Sequence, residues 1–172
     1  EHEAVERALG LAGTASAVEY TELLQLNLYP YASVYLGDEA VLGGEARDRV
    51  GGFWRALGVV PPSEPDHLAP LLGLYAAVAE QALPGEVRRA LLWEHLLSWL
   101  PAYLAKARQL APPFYREWAE LLDTALVAEA IELPAHGLLP LHLRAAAELA
   151  DPREDGLESF LASLLAAVRS GV

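Results

Sequence analysis

Glu64-Pro65-Asp66-His67 is the stretch of this 172-residue chain whose residue types and spacing point most directly to chemistry. Glutamate and histidine three apart share one face of a helix, the arrangement that supplies ligands to carboxylate-bridged di-metal centres. Such a centre needs a second Glu-x-x-His pair and a glutamate from each of two further helices. Here the pair stands alone, because Glu132 and His136 are separated by Pro134, which breaks the helical register. No metal site is expected. Nucleophilic chemistry is equally unsupported: the chain has no cysteine, and neither a Gly-x-Ser-x-Gly elbow nor a His-Glu-x-x-His motif occurs. Gly43-Gly44 and Gly51-Gly52 follow no strand and have no neighbouring lysine, so they do not read as a phosphate loop. No catalytic residue, cofactor or enzymatic activity is expected. Taken alone, His67 reads more simply as a packed or capping histidine, and Pro65-Asp66 as a helix start.

The elements around this tetrapeptide are helical. Ala15 to Leu28 forms a weakly amphipathic helix capped by Thr14 or Ser16 and stopped by Tyr29-Pro30-Tyr31. Residues 30–44 read as an irregular connection, with Ala32 to Leu36 the best, though short, strand candidate. Glu45 to Leu57 places Val50, Phe53, Trp54 and Leu57 on one face before Gly58. After the Pro61-Pro62 turn, Pro65 fits the first turn of a helix running to about Leu83. Further helices span Glu86–Leu100, Pro101 to the Pro112-Pro113 break, Phe114–Leu133 and Leu157–Val168. Trp54, Trp93, Trp99 and Trp118 fall at core spacing, and His95 reads as a semi-buried core histidine. The expected architecture is a single all-α domain of six to eight helices over 1–172, with a hinge at 61–67, proline-rich over 61–65, between parts 1–60 and 68–172.

Composition narrows the partners. Hydrophobic residues make up 53% of the chain, enough for a substantial core. The net charge of −12 and pI near 4.7 oppose nucleic-acid binding and favour a basic partner such as an arginine-bearing peptide. No apolar run reaches the roughly 18 residues of a membrane span. Glu1-His2-Glu3 carries no basic n-region, so no signal peptide is expected, and the absence of cysteine fits the cytoplasm.

Several segments, in order, resemble the TorD/DmsD/NarJ family of molybdoenzyme maturation chaperones. Glu19-Tyr20-Thr21-Glu22-Leu23-Leu24 is similar to its E-Y-x-x-L-F motif, with Leu24 in place of Phe. Pro30-Tyr31-Ala32-Ser33-Val34-Tyr35-Leu36 resembles P-Y-x-S-V-Y-L, and Phe53-Trp54 before Gly58 resembles F-Y-x-x-x-G. Glu64-Pro65-Asp66-His67 matches the family's hinge motif. His95-Leu96 with Trp99-Leu100-Pro101, and Pro113-Phe114-Tyr115, resemble the later elements. Four residues beyond the hinge histidine, where relatives often carry an acid, stands Leu71.

The resemblance implies a helical cytoplasmic chaperone for the apo catalytic subunit of a molybdopterin oxidoreductase of the dimethyl-sulfoxide-reductase superfamily. Such a protein binds its client's twin-arginine signal peptide or N-terminus and assists cofactor insertion. An assembly subunit retained in the oxidoreductase is the alternative. On this reading Glu64 and Asp66 are rim carboxylates for the arginines, and His67 orders the hinge after Pro65. Tyr20 and Trp54 lie on or beside an apolar groove for the peptide. The hinge makes both a monomer and a domain-swapped dimer reasonable.

Overall fold

The computed structural model describes residues 9–11, 13–37, 41–81 and 83–135. By its contacts the chain divides into two compact units, Glu1–Leu138 and Leu139–Val172. The second unit, with the helix expected at 157–168, lies outside the described residues.

The all-α expectation holds. Seven α-helices are found among the described residues: α1 Ala17–Tyr20, α2 Ala32–Leu36, α3 Gly44–Ala56, α4 Leu68–Glu80, α5 Gly85–Ala90, α6 Leu100–Leu110 and α7 Pro113–Glu132. Ser16 caps α1, its hydroxyl accepting from the Glu19 amide, as a serine before an apolar-periodic run should. α1 continues through a π-helical stretch, Thr21–Asn27, closed by a bond from Leu28 N–H to Leu23 C=O. α5 continues likewise into Leu91–Leu96, closed by Leu97 N–H to Leu92 C=O. These wider turns shift the side-chain register and frequently mark functional segments. α3 ends at Gly58, whose φ of 74° only glycine adopts without strain.

α6 and α7 form an antiparallel pair joined through Pro112 and Pro113, with Arg108 of α6 bonded to Asp123 of α7. Between them and the preceding helices lies the core: Leu71 from α4, Leu91, Leu92 and Leu96 from the π-helical stretch, Trp99 at the start of α6, and Leu100, Tyr103 and Leu104 from α6 itself. At one edge Arg88 reaches Tyr75 of α4 and Glu129 of α7, and the Tyr75 hydroxyl also bonds the Glu129 carboxylate. Partial burial opposes ionisation of Glu129, but these two donors more than offset it and hold its pKa below the usual range. Trp93 Nε1 then closes the C-terminus of α7 by donating to Leu133 C=O at 2.7 Å.

Two expectations are corrected here. Ala32–Leu36, the strand candidate, is a helix. Its first turn is satisfied from outside by residue 66, a partner the local sequence cannot announce. α4, the helix expected to begin at Pro65, starts at Leu68, because backbone groups of residues 66 and 68 bond to residues 30 and 32.

His95 is more deeply buried than its sequence context indicates, packed against Phe53 at a ring separation of 4.9 Å. Burial, helped by the nearby Arg49 cation, pushes its pKa down to about 4. The unfolded chain therefore binds a proton that the folded protein refuses between pH 6.5 and 4. That stability is complete above pH 6.5 and lost as pH falls. Urea unfolding should show a drop between pH 7.5 and 4.5 that shrinks by about 2 kcal/mol in His95→Gln. An unchanged drop would contradict the burial argument.

Candidate functional site

The hinge tetrapeptide is half of a clasp. An antiparallel bridge pairs Tyr31 with His67. Ala32 N–H donates to Asp66 C=O at 3.0 Å, and Leu68 N–H to Pro30 C=O at 2.8 Å. Asp66 adds its side chain: Oδ2 accepts from Ser33 N–H at 3.2 Å, inside a site that leaves the residue 1% exposed. Tyr31 precedes α2 with no side-chain cap of its own, so this carboxylate from a distant segment serves as the cap. A negative charge at a helix N-terminus is also favoured by the aligned peptide dipoles. The expected pair of rim carboxylates thus divides. Asp66 points inward and is structural, and Glu64 is exposed.

His67 caps α4. Its Nδ1 accepts from Ala69 N–H at 3.1 Å, which places the neutral ring's proton on Nε2. The imidazole meets the Tyr31 ring edge-on at 4.8 Å. Burial lowers its pKa, although the Glu64 and Asp66 carboxylates pull the other way. Protonation would fill Nδ1 and remove the cap, so the ordering role expected of His67 has a geometric basis. Pro65 is buried beneath the turn.

Tyr31, not singled out from sequence, joins the remaining groups. Its hydroxyl bonds to Glu64 and lies within electrostatic reach of Tyr20; burial, followed by Glu64, pushes its pKa up to about 12. Tyr20 is 40% exposed and also lies within electrostatic reach of the hydroxyl of Tyr103. That hydroxyl is buried without a hydrogen-bond partner among the described residues, in a cluster where Tyr35 stacks on Trp99 at 5.4 Å. Further along the same helix, Glu19, Glu22, Leu23 and Asn27 face Leu110 and Pro112 across a cleft of about 350 Å³. Leu26 and Leu110 stand exposed beside it. Trp54 lies on α3, half-buried, with its indole Nε1 unpaired among the described residues. Among the described residues no group of three or more acids and histidines could hold a metal.

A family model with the description Nitrate reductase delta subunit matches residues 5–105, more than half the chain. The chain belongs to this family. The match runs through both halves of the clasp, Tyr20, Trp54 and the core segment around Trp99. The family comprises NarJ- and TorD-type chaperones of molybdoenzyme maturation, as the ordered motifs imply. No curated protein matches the sequence. No helix among the described residues is long and apolar enough to cross a membrane.

Removing the Asp66 carboxylate strands the Ser33 amide in a dry site, at a cost of about 2 kcal/mol. Asp66→Ala should lose that much in urea unfolding, and Asp66→Asn, which keeps an acceptor, distinctly less. Equal and negligible losses for both would show that the carboxylate does not cap α2.

Proposed function

We propose that this protein is a cytoplasmic chaperone for the apo catalytic subunit of a molybdopterin-dependent oxidoreductase. It binds the twin-arginine signal peptide or N-terminus of that client and assists insertion of its cofactor. Membership of the delta-subunit family, across a match that includes the whole clasp, carries this reading. The acidic and aromatic surface beside the clasp supports it.

A twin-arginine leader presents guanidinium groups and, after them, an apolar stretch. Glu64, Glu19 and Glu22 offer carboxylates whose geometry suits the planar guanidinium. Tyr20 and Tyr31 offer ring faces for the same cations. The exposed Leu26 and Leu110 offer apolar surface for the apolar stretch of the leader. The unpaired Trp54 Nε1 can donate to a peptide carbonyl. In this reading Pro65, Asp66 and His67 act through the backbone they fix, holding Glu64 against Tyr31. The protein works as a monomer, or as a dimer formed by exchange across residues 61–67; exchange would remake the same clasp between two chains.

A second reading, an assembly subunit retained in the finished oxidoreductase, takes its support from the word subunit in the family description. Co-purification separates the two. A chaperone leaves once the cofactor is inserted, whereas a retained subunit stays with the holoenzyme.

Exposed ion pairs contribute about 0.5 kcal/mol each, so Glu19→Gln/Glu22→Gln/Glu64→Gln should weaken a client leader peptide about tenfold by isothermal titration. Added salt should weaken wild-type binding more than that of the variant. Unchanged affinity in the folded triple variant would remove these carboxylates from the site.

A further inference from the structure

Trp99, Tyr103, Asp66 and Ser33 are among the fully buried side chains of the described fold, and each carries a polar atom. Three of them are satisfied. Trp99 Nε1 donates to His95 C=O at 2.9 Å, Asp66 Oδ2 accepts from Ser33 N–H at 3.2 Å, and the Ser33 hydroxyl accepts from Gly43 N–H at 3.2 Å. The Tyr103 hydroxyl has no partner among the described residues. A hydroxyl left dry and unpaired costs stability that phenylalanine at the same place would not, since the ring packs equally well without it.

The surroundings of this orphan donor lead to the surface. In α6 the Tyr103 ring lies edge-on to Tyr35 at 5.8 Å and to Trp99 at 5.7 Å. Burial, and after it the hydroxyls of Tyr35 and Tyr20, push its pKa up, so it stays a neutral donor. Of those two tyrosines, Tyr35 is half-buried and Tyr20 exposed. Glu19, Glu22 and Leu23, which flank Tyr20 in the chain, line the acidic cleft. The three tyrosines therefore adjoin the surface assigned above to the client leader.

The missing partner is an acceptor, and its charge is constrained. A carboxylate or phosphate would enter past Glu19 and Glu22 into a dry site where the groups acting on Tyr103 are neutral tyrosines. A neutral oxygen meets no such barrier, and a peptide carries a carbonyl at every residue. In a helix those carbonyls are already occupied; in an extended segment they are free.

We propose that the Tyr103 hydroxyl is a specificity-determining contact for the client leader, donating to a main-chain carbonyl of the peptide where it passes Tyr20 in extended form. The inference rests on the function proposed above. Tyr103 is closed to solvent in the free protein, so Tyr20, the exposed member of the cluster, turns outward to admit the peptide. The penalty carried by the free protein is relieved in the complex.

Isothermal titration of a client leader peptide into the full chain, wild type against Tyr103→Phe, tests the contact, with urea unfolding of both in the absence of peptide. Without peptide, Tyr103→Phe should unfold at a urea midpoint equal to or above that of the wild type, because no hydrogen bond is lost. It should bind the leader about fivefold more weakly, the loss of one neutral hydrogen bond. Salt should weaken the variant and the wild type in equal proportion, because the lost contact is uncharged. A clearly lower midpoint in the free variant, or failure to fold, would overturn the proposal: the hydroxyl would already serve a partner inside the fold, a trapped water included. Equal affinity of variant and wild type would overturn it too and leave the proposed function standing, whereas a wild type that does not bind the leader removes both. A salt dependence altered in the variant would assign Tyr103 to a charged group of the peptide and overturn the carbonyl contact.

Discussion

One buried carboxylate holds the two halves of the described fold in register. Asp66 is almost wholly removed from water, where a charged group is tolerated only when something satisfies it. The Ser33 amide at the mouth of α2 does so. The dependence runs both ways. A five-residue helix cannot nucleate on its own in water, and α2 has no cap within its own segment. The carboxylate and the helix therefore exist together or not at all. Around that contact the backbone bonds of residues 30–32 and 66–68 set the start of α4, the cap supplied by His67 and the outward position of Glu64.

The arrangement separates rigidity from contact. The inward residues of the tetrapeptide, Pro65 and Asp66, fix the turn, and the outward Glu64 meets Tyr31 and solvent. Beside it, along α1 and its π-helical continuation, acids alternate with apolar side chains. In the proposed function, such a surface attracts a basic, apolar peptide from a distance through its charge and holds it by apolar burial, since exposed ion pairs contribute little each. A buried network of ion pairs would hold harder but release slowly. Modest, salt-sensitive contacts suit the proposed chaperone role, in which the client is released.

Much of this was legible in the sequence because it is encoded locally. Helix periodicity, Gly58 and the paired prolines delimited α3, α6 and α7 to within one or two residues. The ordered motifs led to the family that the match confirms. What escaped was encoded at a distance. Ala32–Leu36 has β-branched and aromatic residues and reads as extended; only a carboxylate thirty-three residues away makes it helical. The same contact turned Asp66 from an expected rim residue into an internal cap. Tyr31 and the acids Glu19 and Glu22 went unassigned as site residues for the same reason, since no spacing rule places them around Tyr20 or opposite Leu110. His67, by contrast, could be read as a capping residue directly from its place before an apolar helical run.

The central claim is that the clasp is a permanent structural joint and that the client meets the surface beside it. Amide hydrogen exchange, measured residue by residue with and without a client leader peptide, tests this most directly. The amides of Ala32, Ser33 and Leu68 should be strongly protected in the free protein and remain so with peptide bound, while new protection appears along residues 19–27. Exchange of those three amides as fast as that of the exposed Val60 and Ser63, or their loss of protection on peptide binding, would contradict the account.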